Sequence, residues 1–397
     1  MKILFIHNKY LLSAGGEDTT VDAEVKLLLS YGHNVRVLLF DNDRMGKGIP
    51  TKVKAGFESI YNPTSSKIVR KEIKAFAPDV VHIHNFYFTA SPSVIIAAHR
   101  LGVPVVMTIQ NYRLICANCL LLRNNTICEL CVHHTFPWYG VAYKCYHDSA
   151  IQSAVVGSIG AIHKLIGTWQ NKVDRYIAPA EFIKSKLIDS SLRLPPAKVE
   201  VKRNFVEAPG IGSQNEREDF FLFIGRLSKE KGVYTLLKCF NDLQHIKLII
   251  AGDGPEREAL SLEFGHLSNV QFRGHLAKPE LMQLLKTCKA SIFPSIWYEG
   301  LPLSIIEALA TGTPVIASRL GAMQEMIQHG ENGLLFEPGD HVQLQQLITF
   351  FYQHPGESFY KAAYESYKRN FHPEKCYEDV MKIYKAAISA KMSKFKE

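Results

Sequence analysis

PSIWYEGLPLSIIEALATGTPVIAS, residues 294–318, decides how the rest of the chain is read. It places two carboxylates, Glu299 and Glu307, eight positions apart. Glu299 falls in a turn-rich loop, and Glu307 falls on an apolar helix that starts near Pro302, where a missing N–H costs nothing. Thr311-Gly312-Thr313-Pro314 stops that helix, and Val315–Ala317 reads as a buried strand. The free N–H groups and dipole of such a helix make an anion site at the carboxyl edge of a parallel sheet. A bland reading exists, a capping acid followed by a solvated helical acid. Gly300, Pro302 and Gly312, which set the backbone, and Ile305, Ile306, Ala308 and Leu309, which pack one face, weigh against it. Two acids beside an anion site suit a ligand that carries hydroxyls and phosphate together.

The second informative run is Gly225-Arg226-Leu227-Ser228-Lys229-Glu230-Lys231-Gly232, after the apolar strand Phe220–Ile224. Arg226 offers phosphate oxygens a planar fork, and Lys231 offers a point charge where strand turns to helix. The octapeptide resembles the G-R-L-x-x-x-K-G segment, and residues 294–318 the E-x7-E segment, of retaining, nucleotide-sugar-dependent glycosyltransferases of family 4. The resemblance implies a GT-B fold: α/β, two Rossmann-like domains with parallel sheets facing across a cleft. It implies that Arg226 and Lys231 hold the donor diphosphate and that Glu299 holds the sugar and steadies its cationic centre, these three being catalytic. Glu307 would hold the ribose diol. Gly300, Leu301, Pro302 and Leu303 would line the donor site, with backbone near His275 and Leu276 against the base. No catalytic metal is implied, because the cations at the diphosphate do that work.

The chain has 397 residues, 47% hydrophobic and 21% charged, with no repeat or low-complexity tract. That length favours two domains. No apolar run reaches the roughly 20 residues needed to cross a bilayer. The opening MKILFIHNKY reads as a buried strand rather than a leader, so a cytoplasmic protein is expected. Net charge is +8, but residues 1–205 carry 25 Lys+Arg against 15 Asp+Glu, and the remainder 21 against 23. The basic residues gather at Arg44, Lys47, Lys52, Lys54, Lys67, Arg70, Lys71 and Lys74. Such a face suits an anionic membrane surface or a phosphorylated acceptor, or is simply solvated. No nucleic-acid-binding signature accompanies it.

In chain order, a βαβ opening carries Gly15 and Gly16 before its helix, and the resemblance sets both near the donor's sugar and phosphates. Asp79–Ile83 is a strand ending in His84-Asn85, the acceptor-side candidates, while His82 reads as structural. Thr108–Cys116, TIQNYRLIC, resembles the family's T-x-H-N/D-Y-x-L-x-C segment but carries Gln110 where many members have histidine. Gln110 can hydrogen-bond a sugar yet cannot take a proton. A non-catalytic nucleotide-sugar or lipid-binding protein, and a nucleotide-sugar epimerase on the same architecture, are the alternatives.

Residues 111–150 read as an insertion. Its Cys116, Cys128, Cys131 and Cys145 best match a cysteine-rich, polysaccharide-biosynthesis subset of the family. A structural zinc is one reading of them, free thiols in a packed loop the other. The expected domains are 1–205, a linker at 206–219, a nucleotide-sugar domain at 220–370, and a terminal helix, 371–397, crossing back to the first domain. The expected reaction moves a sugar from a nucleoside-diphosphate sugar to a glycan or lipid-linked acceptor. The expected location is the cytoplasm, at the inner face of the plasma membrane.

Overall fold

The computed structural model describes residues 1–9, 16–42 and 49–394. Gly15, Arg44 and Lys47 lie outside the described residues. The chain forms two compact units. Met1–Leu121, Glu129–Arg203 and Cys376–Glu397 make the first; Leu122–Cys128 and Asn204–Lys375 make the second. In chain order the strands are β1 (Lys2–Lys9), β2 (Asn34–Asp41), β3 (Val80–Ile83), β4 (Val105–Thr108), β5 (Leu122–Arg123), β6 (Thr126–Ile127), β7 (Arg175–Ala178) and β8 (Val199–Val201). There follow β9 (Phe220–Ile224), β10 (Lys247–Ala251), β11 (Val270–Gly274), β12 (Ala290–Phe293), β13 (Val315–Ser318) and β14 (Gly333–Phe336).

The first unit holds a parallel sheet of order β2-β1-β3-β4-β7-β8, and the second one of order β11-β10-β9-β12-β13-β14. Central strands such as β9, FFLFI, are buried at every position, as strands covered by helices on both faces must be. Each sheet reverses its order once, at β1/β3 and at β9/β12, and ligands of open parallel sheets bind at the carboxyl ends of such pairs. The loops leaving those ends are His84-Asn85 in the first unit, and 225–232 and 294–302 in the second.

Those last two loops touch. Gly232 has φ 68°, and a Cβ there would stand 2.0 Å from the Pro294 carbonyl oxygen, so only glycine fits. Each unit has its own core. Phe221, Phe223, Leu236, Phe240, Ile250 and Ile292 centre the second. In the first, Ile3, Phe5, Val80, Val106 and Ile177 pack with Val380, Ile383 and Tyr384 of the helix Pro373–Lys394. Each such side chain contributes about 1.5–3 kcal/mol of burial.

Two details differ from a reading by composition alone. The insertion contains a hairpin, β5–β6, whose turn residues Asn124 and Asn125 have φ of 50° and 59°. Asparagine tolerates that left-handed conformation, and a two-residue turn of this hand matches strand twist. The segment 206–219, expected as a linker, is bonded into the second unit. Arg217 Nη1 donates to Leu285 O (3.0 Å), Cys288 O (2.8 Å) and Thr313 Oγ1 (2.7 Å). Its Nη2 donates to Thr311 O and Gly312 O, satisfying carbonyls left free where the helix Leu303–Ala310 ends.

Candidate active site

Glu299 is buried, 4% exposed, in the loop after β12. Three donors converge on its Oε1: Lys231 Nζ at 2.7 Å, Ser295 Oγ at 2.6 Å and Trp297 Nε1 at 2.7 Å. Ser295 and Trp297 belong to the same loop, whereas Lys231 comes from the loop after β9. Those loops are joined again by the Ile296 N–H donating to Glu230 O at 2.9 Å. Lys231 Nζ also lies over the rings of Phe293 and Trp297, at 5.4 and 5.6 Å, which hold a cation without neutralising it. The carboxylate is thereby fixed through one oxygen, and its Oε2 takes none of the three bonds.

Glu307 occupies the helix Leu303–Ala310, with Pro302 as its N-cap. It is 8% exposed, and Lys278 Nζ bonds its Oε1. Burial pushes its pKa above the ordinary carboxylate value, and the Lys278 ammonium pulls it back down. Arg226 is exposed and has no ion-pair partner among the described residues. His275 is exposed and Leu276 half-buried just beyond β11. Gly300, Leu301, Pro302 and Leu303 run directly from Glu299 into the helix. Lys231 and Glu299 are thus brought together, while Glu307 is set with Lys278, which the sequence reading missed. Its signal was a lysine two positions beyond Leu276, at the start of the helix Lys278–Thr287.

In the first unit, His84, Asn85 and Gln110 line one small hollow of about 20 Å³ with Glu17, Asn111 and Arg113. Asn85 is committed to the fold: its Nδ2 donates to Asn8 O (2.9 Å), and its Oδ1 accepts from the Tyr87 N–H (3.0 Å). His84 is 3% exposed, and neither ring nitrogen has a hydrogen-bond partner. Burial, then the neighbouring His82 and Lys202, hold its pKa well below the usual value. His82 is structural: Nδ1 meets Tyr384 Oη and Nε2 meets Thr108 Oγ1, both at 2.7 Å. Beneath them Glu24, 1% exposed, takes the Lys202 ammonium at 2.6 Å. That buried pair, and His7 with Asp18 at 2.6 Å, were not singled out from sequence. Gly16 opens the helix Gly16–Ser30, and its carbonyl accepts from Thr20 Oγ1 at 2.8 Å.

All eight cysteines are free thiols. Cys116 Sγ donates to Asn118 Oδ1 at 2.9 Å, and burial pushes this thiol up to about 12. Among the described residues, the one group of three metal-ligating atoms close enough to share an ion is Glu24, His82 and His84. Cys116, Cys128, Cys131 and Cys145 do not form such a group. No helix among the described residues is long and apolar enough to cross a membrane.

Comparison with known proteins fits this geometry. Residues 207–369 match the model for glycosyl transferases group 1, and residues 14–208 that for Glycosyltransferase Family 4. The chain is 25% identical over 285 residues to the sulfoquinovosyl transferase SQD2 of Arabidopsis thaliana, covering 68% of this chain and 49% of that one. It is 34% identical over 145 residues to the uncharacterized glycosyltransferase MJ1607 of Methanocaldococcus jannaschii, covering 35% and 36%. The matches thus span about a third to a half of those relatives' lengths. Sucrose-phosphate synthase (tll1590) of Thermosynechococcus elongatus superposes with a TM-score of 0.70 at 17% identity, over 98% of this chain and 99% of that one. Alr3699/HepE of Anabaena in complex with UDP gives 0.66 at 16%, over 96% and 99%. With two family models adjoining from residue 14 to residue 369 and two parallel sheets beneath them, the chain belongs to the family 4 glycosyltransferases and has the GT-B fold.

Proposed function

We propose that this protein is a retaining glycosyltransferase that moves a sugar from a nucleoside-diphosphate sugar to a glycan or lipid-linked acceptor, in the building of cell-surface polysaccharide. The observation that carries the proposal is the clamp on Glu299. A buried carboxylate fixed through Oε1 by Lys231, Ser295 and Trp297 turns its other oxygen to a ligand without a conformational search. In the reaction, Lys231 keeps one hydrogen on Glu299 and directs its remaining charge at the diphosphate. Arg226, exposed on the same loop, supplies a second cation as the leaving group gains charge. Glu299 binds sugar hydroxyls and stabilises the oxocarbenium-like centre. Glu307 takes the ribose diol, and the Lys278 ammonium offsets part of the cost of burying its charge. No catalytic metal enters the proposal. Gln110 positions the acceptor side, and the departing phosphate takes the acceptor's proton, since glutamine cannot. His84 and Asn85 shape that side through the hollow they share with Gln110.

Of the two readings of Cys116, Cys128, Cys131 and Cys145, the proposal takes free thiols in a packed loop, since among the described residues these four do not share one ligand position. A location at the inner face of the plasma membrane is part of the proposal. It rests on the exposed Lys67, Arg70, Lys71 and Lys74 of the helix Pro63–Phe76, and on Phe57 and Trp138, 72% and 66% exposed. A panel of nucleotide sugars screened by thermal shift identifies the donor, and added acceptor should then speed nucleotide release. Donor isomerised without transfer, or donor bound with no turnover in any acceptor mixture, would replace this proposal with an epimerase or a binding protein.

A further inference from the structure

The second unit contains a pocket of about 630 Å³ that the reaction described above does not use. One wall is the tip of the β5–β6 hairpin, Asn125, Thr126 and Ile127. Ser228, Lys229, the start of the helix Val233–Asp242, Leu260 and Ile296 also line it. The volume lies within the range of small-molecule sites.

We propose that this pocket binds an uncharged oligosaccharide, the non-reacting part of the acceptor glycan, and this rests on the reading of the protein as a glycosyltransferase. The lining decides the chemistry. Hydroxyls and amides (Asn125, Thr126, Ser228, Thr235) alternate with apolar surfaces (Ile127, Val233, Tyr234, Leu260), which suits a ring with polar edges and C–H faces. Its charged lining is one lysine, Lys229, and one glutamate, Glu256, so no net charge calls for a phosphate or a carboxylate. The walls are also fixed before any ligand arrives. Tyr234 Oη donates to Glu263 Oε1 at 2.9 Å, the Lys238 ammonium lies 4.9 Å from its ring centre, and Phe264 meets it edge-on. The left-handed Asn124-Asn125 turn holds the hairpin wall. Preset walls spare a weak, hydroxyl-rich ligand much of its ordering cost.

Position gives the pocket its role. Ser228, Lys229 and Gly232 belong to the loop that carries Lys231, and Ile296 lies three residues before Glu299 and donates to Glu230 O. An occupant therefore touches both loops of the transfer centre without touching Lys231 or Glu299.

The test is direct binding of uncharged di- to tetrasaccharides of glucose, galactose, mannose and N-acetylglucosamine, by saturation-transfer NMR and titration calorimetry. At least one should bind the full chain with a Kd of about 1 mM. Thr235→Trp, which fills the pocket, should weaken it at least about tenfold, and Tyr234→Ala should weaken it about threefold or more. The affinity of both variants for UDP and GDP should stay within about twofold of the parent's. No binding by any oligosaccharide, or equal binding by the parent and both variants, overturns the proposal. Failure of the parent chain to bind either nucleotide counts instead against the transferase reading, and leaves oligosaccharide binding to be judged on its own result.

Discussion

Replacing Lys231 with alanine separates the chemistry proposed for this site from its architecture. In the folded protein the Lys231 ammonium gives Glu299 Oε1 one of three hydrogen bonds, and Ser295 and Trp297 supply the others. Losing one charged bond of three leaves the carboxylate held by its own loop. A charge-assisted bond is worth about 1.5–3 kcal/mol, and the Lys231 side chain is 19% exposed, which trims this to about 1–2 kcal/mol. For a unit of this size that is a melting shift of about 2–8 °C. Transfer should suffer far more. In the proposed reaction the ammonium faces the charge that grows on the departing diphosphate, and removing one such preset donor would cost about 2.7–4 kcal/mol of barrier, or about 100- to 1000-fold in kcat. The assay is nucleotide release from the identified donor with saturating acceptor, run beside thermal unfolding of the same samples. A fall in kcat of at least tenfold with unfolding within about 8 °C of the parent is expected. A variant within about twofold of parental kcat would refute the assignment, whatever its stability.

Four further outcomes follow from the same structure. Glu307→Gln should raise the donor KM about tenfold, since bonds from a ribose diol to a carboxylate are charge-assisted. Because burial raises the Glu307 pKa, the unfolded chain releases that proton first, and the parent should lose stability relative to Glu307→Gln as pH rises from 4.5; parallel denaturant midpoints from pH 4.5 to 8 would contradict this. His82 has the opposite sign. Burial lowers its pKa from 6.5 to about 4, so the unfolded chain binds more protons in that interval, and the first unit should lose up to about 3 kcal/mol as pH falls through it. Lys202→Met strands the buried Glu24 carboxylate and should cost the first unit about 3–5 kcal/mol in denaturant titration; a loss under about 1 kcal/mol would remove that pair from the account of its core. Elemental analysis of the purified chain should give zinc near zero, and one ion per chain would mean either that the cysteine-rich segment closes more tightly than its thiols do here or that Glu24, His82 and His84 hold the ion.

Local rules made much of this protein legible before folding. Strand and helix alternate in the sequence because buried parallel strands need continuous apolar runs and each crossover needs a helix, so two parallel sheets could be anticipated. The Gly225–Gly232 and Pro294–Ser318 segments could be read because their turn glycines and prolines, cations and acids sit at fixed covalent spacing. Trp297 and Ser295 were in view within the second segment, but nothing in the spacing said that both would donate to the same oxygen of Glu299.

What only tertiary structure decided are contacts between residues far apart in the chain. Lys231 reaches Glu299 across 68 positions because β9 and β12 are neighbours in the sheet. Lys202, just beyond β8, meets Glu24 of the helix Gly16–Ser30 across 178 positions. Tyr384 meets His82 across 302 because the helix Pro373–Lys394 packs into the first unit's core. The hairpin Leu122–Ile127 belongs with the second unit although its flanks belong with the first. Sequence spacing governs propensity and local geometry, whereas the partner of a buried charge depends on strand order and docking. Those are settled when the whole chain buries its apolar surface at once.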